Sequence, residues 1–203
     1  MRVGAQEDIL VLVRHARTAP VPELEAAAWR LAESATDECR RLADELRPLH
    51  PDRIITSDHH KAEATGALLA RYLGLPRESA VGLEEHDRSG VPFYEDPREF
   101  VAKVKRLFDR PEEVVLGQET AEGALERYEA AIRREAELHG RERLILVSHA
   151  TVMALLVARH NEVDGFEFWK TLEMPEALVL RLEDFALLDR LGAGGASNEE
   201  VNR

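Results

Sequence analysis

The strongest constraint on the fold lies in residues 9–18, Ile-Leu-Val-Leu-Val-Arg-His-Ala-Arg-Thr, where five consecutive aliphatic residues run straight into ionisable and hydroxyl side chains. An unbroken apolar run rich in β-branched residues predicts a strand buried on both faces, as in the middle of a parallel sheet. The polar cluster then sits at the carboxyl end of that strand, the edge at which open α/β sheets bind ligands. Residues 144–151, Leu-Ile-Leu-Val-Ser-His-Ala-Thr, repeat the pattern. Two such strands would deliver His15 and His149 to one edge of one sheet. A single histidine after a strand is more often a satisfied loop residue, and it is the repetition that makes these two candidate functional residues. Arg14 and Arg17 flank His15, and cations beside the N–H groups of a strand-to-helix turn favour a bound oxyanion, phosphate above all.

The chain has 203 residues, 44% hydrophobic and 33% charged, enough for one α/β domain with a full core and a small lid. The expected organisation is a single domain over residues 1–191 with a helical lid at about 89–117. The Gly- and Ala-rich stretch from Gly192 to the last residue is expected to be a disordered tail. A net charge of −12 with no basic stripe speaks against a nucleic-acid or acidic-membrane partner. With no apolar run long enough to span a bilayer and no signal-peptide pattern, a cytoplasmic location is expected. The one cysteine, Cys39, excludes an internal disulfide and reads as a half-buried apolar residue. A possible homodimer is left open, since nothing in the sequence specifies an assembly.

Beyond the first strand, Pro22-Glu23 could open a short helix through Leu31. Thr36 followed by two acids reads as the N-cap of a helix to about Leu46, with Cys39, Leu42, Ala43 and Leu46 on one face. Arg53–Thr56 reads as a strand, Ser57-Asp58 as the cap of a helix ending at Gly74, and Ala80–Leu83 as another short strand. Helices are expected over Arg98–Arg110, Glu119–Leu138 with Thr120 as cap, and 151–160. Ala177–Leu182 is expected to be the last strand.

Taken together these segments resemble the histidine phosphatase superfamily. Arg14-His15-Ala16-Arg17-Thr18 is similar to its RHGxT signature and Ser57 to Thr65 to SPLxRAxQT. Leu83-Glu84-Glu85 resembles LxE, Gly117–Thr120 with Arg127 resembles a GES segment followed by Arg, and Ser148-His149-Ala150 resembles SHG. The similarity spans about residues 9–182, in the family's order. It implies a three-layer α/β/α sandwich with a mostly parallel central sheet, as in phosphoglycerate mutases, and a phosphomonoesterase acting on a small phosphorylated substrate without cofactor or metal. By the same resemblance His15 takes the phosphoryl group, with its other ring nitrogen bonded to a backbone carbonyl. Arg14 and His149 clamp the phosphoryl oxygens. Glu85 gives a proton to the leaving oxygen, for which its pKa should be raised by burial or by a carboxylate such as Glu84. Arg17, Thr18, Lys61 and Ala150 fall among the binding positions, and Ser148 lies behind them.

The chain departs from that pattern at named positions. Lys61 stands where the family usually has a second phosphate-binding arginine, and a point charge lacks the bidentate geometry, unless Arg17 or His60 helps. Both signature glycines are alanines, Ala16 and Ala150, which negative φ would allow. Val21 occupies a position that many members give to Asn. Asp58-His59-His60 also spells the DHH of metal-dependent phosphoesterases, but the further aspartates that hold two divalent ions are missing. The remaining alternatives are a catalytically weak binder of phosphorylated ligands with the same fold, and a mutase-type phosphotransferase.

Overall fold

The computed structural model describes residues 8–24 and 28–192. Its centre is a six-stranded sheet of β1 (Ile9–Arg14), β4 (Arg53–Thr56), β5 (Arg77–Ser79), β6 (Leu144–Ser148), β7 (Glu176–Arg181) and β8 (Leu187–Leu191), in the order β5-β4-β6-β1-β7-β8. The first four in that order are parallel; β7 runs antiparallel to β1 and β8 antiparallel to β7. As the apolar runs require, β1 and β6 are covered on both faces. Leu10, Leu12, Leu144 and Leu146 enter one core, whereas Val11, Val13, Ile145 and Val147 enter the other. This period-2 division makes three layers. The second core is closed by α1 (Ala35–Leu46) and α2 (His60–Leu73), and the first by α3 (Pro97–Asp109), α4 (Ala121–His139), α5 (Ala150–His160) and α6 (Gly165–Thr171). The mostly parallel three-layer sandwich expected from sequence is what the chain forms.

Several local readings are corrected. Arg30–Leu31, expected to end a helix, is instead a strand (β3) pairing antiparallel with Thr18–Ala19 (β2), and Trp29 Nε1 donates to the carbonyls of Val21 and Leu24. Ladder pairing with β2 takes up the backbone groups that a helix would have used there. Residues 25–27 of that segment lie outside the described residues. Helix α1 is capped at Ser34 rather than Thr36, and α2 at His59 rather than Ser57-Asp58. The strand foreseen at Ala80–Leu83 is displaced to Arg77–Ser79, because pairing with Ile54–Thr56 sets its register and Gly82, at φ 101°, turns the chain out of extension. The strand expected to be last is followed by β8, and α6 was not foreseen. Gly192 is held by its N–H donating to Glu45 (2.9 Å), so it is not part of a loose tail; 193–203 and 1–7 lie outside the described residues. The 89–117 segment contains α3, whose Val104 and Leu107 are buried in the first core.

Candidate active site

At the carboxyl ends of the adjacent strands β1 and β6 the backbone turns bring the two histidines together. Arg14 and Ser148 are register partners, and the His15 N–H donates to the Ser148 carbonyl at 3.0 Å. The ring centroids of His15 and His149 lie 5.3 Å apart, inclined at 58°. His15 Nδ1 is 2.9 Å from the Ala16 carbonyl, which can only accept, so Nδ1 carries the hydrogen and Nε2 keeps its lone pair. That is the tautomer a nucleophile needs. Burial first, then Lys61, His149 and Arg14, hold the His15 pKa well below the usual histidine value.

His149 is buried completely and its Nε2 lies 2.9 Å from Ser57 Oγ. Ser57 Oγ also accepts the His59 N–H at 3.2 Å, and with its proton and a second lone pair it can meet His149 Nε2 as donor or acceptor. The other ring nitrogen of His149, Nδ1, is buried without a protein partner. Burial, followed by Lys61 and His59, keeps this imidazole neutral as well. Ser57 therefore acts as an orienting group rather than as the helix cap expected of it.

Cations gather around the pair. Arg14 is buried, donates from Nη1 to the Leu172 carbonyl at 2.6 Å, and is lowered by burial to about 10 despite the nearby Glu85 and Glu176. Lys61, in the first turn of α2, is buried, and desolvation lowers it to about 8. Arg17 turns its Nε to Glu38 at 3.5 Å and its charge reaches Arg14, Thr18 lies in β2, and His60 is exposed. Ala16 is buried with its N–H donating to Thr65 Oγ1, and Ala150 opens α5. Neither has positive φ, which explains why alanine is accepted where the resemblance expects glycine.

Of the adjacent acids, Glu84 bonds the Gly82 N–H and pairs with Arg127 at 3.2 Å, so it fastens its loop to α4. Glu85 enters the site. Its carboxylate accepts from the N–H groups of His86 (3.0 Å), Thr151 (3.2 Å) and Val152 (3.3 Å), the last two at the start of α5, and lies 3.5 Å from Arg88. Burial alone would push its pKa up. Arg88, the His86 N–H, Lys61 and the Thr151 N–H outweigh that and hold it at about 2. The expectation of a raised Glu85 pKa is thus corrected, because hydrogen bonding and cations beat desolvation.

Two residues at the site were missed. Arg88 donates to Thr151 Oγ1 at 2.6 Å and lies 4.9 Å over the Phe100 ring. The sequence signal was a cation three residues after the candidate acid. His59 packs its ring 4.9 Å from that of His149; it belonged to the metal-type DHH reading, but Asp58 and His60 are exposed. Trp169 is a core residue 6.1 Å from Phe166, while Phe93 is exposed and meets Trp29.

A sheet with this strand order, carrying a buried imidazole at the end of each of two adjacent parallel strands, defines the class. The chain belongs to the histidine phosphatase superfamily (branch 1), whose description matches residues 10–184. Among solved structures it is similar to Bacillus stearothermophilus YhfR, with TM-score 0.72 at 17% identity, covering 92% of this chain and 98% of that one. It is also similar to mycobacterial glucosyl-3-phosphoglycerate phosphatase, with TM-score 0.70 at 16% identity, covering 90% and 97%. A variant of Entamoeba histolytica phosphoserine phosphatase, in complex with phosphoserine, aligns with TM-score 0.68 at 14% identity over 90% and 95%. No curated protein matches the chain by sequence.

Proposed function

We propose that the protein is a phosphomonoesterase that hydrolyses a small phosphorylated metabolite through a phosphohistidine on His15. The observation that carries this reading is the pairing of His15, whose Nε2 keeps its lone pair, with the buried ring of His149, the ring centroids 5.3 Å apart and ringed by Arg14 and Lys61. In the first step Nε2 attacks phosphorus in line, the P–O bond to the organic group breaks, and protonated Glu85 gives its proton to the departing oxygen. In the second step water attacks the phosphohistidine, the N–P bond breaks, and Glu85 takes the water's proton. Phosphate leaves and both side chains return to their starting state. Arg14, Lys61 and His149 hold the equatorial oxygens in each step.

The similar structures include proteins named as phosphatases for glucosyl-3-phosphoglycerate and phosphoserine, which supports a phosphorylated small molecule as substrate. The competing reading, a weakly catalytic phospho-ligand binder, is favoured by one observation: Glu85 is held ionised, the wrong state for an acid. Phosphate release from an aryl phosphate separates the two. The phosphatase reading expects turnover that His15→Ala abolishes and an acid-labile phosphoenzyme on His15. No turnover, together with thermal stabilisation by vanadate, would establish the binder.

A further inference from the structure

The proposed cycle asks Glu85 to arrive protonated, yet the protein's own groups hold its carboxylate charged. Three N–H donors and Arg88 face it. Lys61 from α2 and Arg14 from β1 add positive charge within electrostatic reach, and His59 borders it from the N-terminus of α2. From α4, Arg127 bonds the Glu85 carbonyl at 3.2 Å, and buried Tyr128 senses the Glu85 charge. The neighbouring Glu84 is turned to Arg127.

Arg88 is the element that can change. It is placed with care: its predecessor Asp87 donates its N–H to Glu119 Oε1 at 2.8 Å and accepts the Gln118 N–H at 2.9 Å. Gly117 lets these segments touch, since at its φ of 78° a Cβ would collide with the Asp87 carbonyl. The Arg88 side chain is only 22% exposed, yet its Nε is buried without a hydrogen-bond partner. Its contact with Glu85, at 3.5 Å, is an ion pair without hydrogen-bond distance. A guanidinium so placed has donor capacity for a second anion.

We propose that Arg88 is shared between Glu85 and the substrate's phosphoryl group, so that the arriving dianion draws Arg88 and Lys61 to itself and Glu85 takes up from solvent the proton it then delivers. This rests on the phosphatase reading and supplies the armed acid that the reading lacks. Two negative charges entering among Arg14, Lys61 and Arg88 reverse the local field that kept the carboxyl ionised. The proton goes from water to Glu85 on binding, to the leaving oxygen in the first step, back from the attacking water in the second, and to solvent as phosphate departs. The organic product thus leaves as a neutral alcohol, and the acid forms only where a substrate sits.

Sulfate is the probe, because it is tetrahedral, stays dianionic near neutrality and is not turned over. Proton uptake on sulfate binding is read by calorimetry at pH 7 in buffers of different ionisation enthalpy. The wild-type protein should take up about one proton more per sulfate than Glu85→Gln, a difference that cancels any uptake by His15 and His149. Arg88→Met should weaken sulfate by about tenfold or more, with Arg88→Lys recovering part of it. Equal uptake in wild type and Glu85→Gln overturns the proposal, as does unchanged sulfate affinity in Arg88→Met. So does failure of sulfate to bind or to stabilise the fold. Since no turnover is needed, these results stand apart from the aryl phosphate assay, which alone decides the phosphatase reading.

Discussion

Ser57 Oγ stands 2.9 Å from His149 Nε2, so a hydroxyl on the turn after β4 anchors the ring of an imidazole at the end of β6. The strands are neighbours, with Thr56 opposite Val147 and the Ser57 N–H donating to the Val147 carbonyl. Sheet register therefore decides which ring nitrogen of His149 is tied to Ser57.

Ser57→Ala should release that ring. The expected cost is about tenfold to a hundredfold in kcat/KM, as for other groups that orient a functional histidine. Nitrogen NMR of His149 checks the cause: ring signals unchanged in Ser57→Ala would show that Ser57 does not hold the ring.

Lys61 should give the enzyme an alkaline limb. Because burial lowers it to about 8, it carries its charge below that pH and loses it as pH rises through it. The profile of kcat/KM, which reports the free enzyme, should fall about tenfold from pH 8 to 9.5. Lys61→Arg should remove the limb and tighten inorganic phosphate several-fold, since a guanidinium stays charged and can bind in bidentate fashion. If Lys61→Ala leaves both kinetic constants untouched, Lys61 does not hold the phosphoryl group.

The adjacent acids should separate cleanly. Glu85→Gln is expected to lower kcat by about a hundredfold or more, the range for loss of a general acid. Glu84→Gln, which loosens the pairing to Arg127 and the contact with the Gly82 N–H, should keep kcat and lower the unfolding midpoint instead. The opposite ranking in a steady-state assay would exchange their roles.

Acid stability follows from the buried histidines. His15 and His149 are held below the ordinary value, whereas in the unfolded chain each binds a proton near pH 6.5. Stability is thus full above that pH and falls as pH drops through it, by about 1.4 kcal/mol per pH unit for each proton. Glu85 adds a further loss below about pH 4.3, its unfolded value, continuing toward 2. Urea unfolding between pH 7 and 5 should be less steeply pH-dependent in His15→Gln, and an identical slope would mean that His15 is not held neutral.

Much of the site was legible because it is written locally. The aliphatic runs before Arg14 and Ser148 announce buried strands, and a polar residue directly after such a strand lies at the ligand-binding edge wherever the strand sits in the sheet. That accounts for His15, His149 and the place of Lys61 one turn into α2. Boundaries at Thr36, Ser57 and Ala80 misled, because capping and short-strand signals are weak and pairing with β4 or contact with His149 overrides them.

The sequence by itself determined the two-faced core strands, the helices that cover them, and the pair of imidazoles at one sheet edge, since periodicity and chain direction are local properties. Only the tertiary structure decided the anchoring of His149, the separation of Glu84 from Glu85, the ionised state of Glu85 and the arrival of Arg88 and His59. Each depends on a partner from a distant segment, Ser57, Arg127, Thr151 or Phe100, and electrostatic fields and hydrogen bonds sum over what is near in space rather than in sequence.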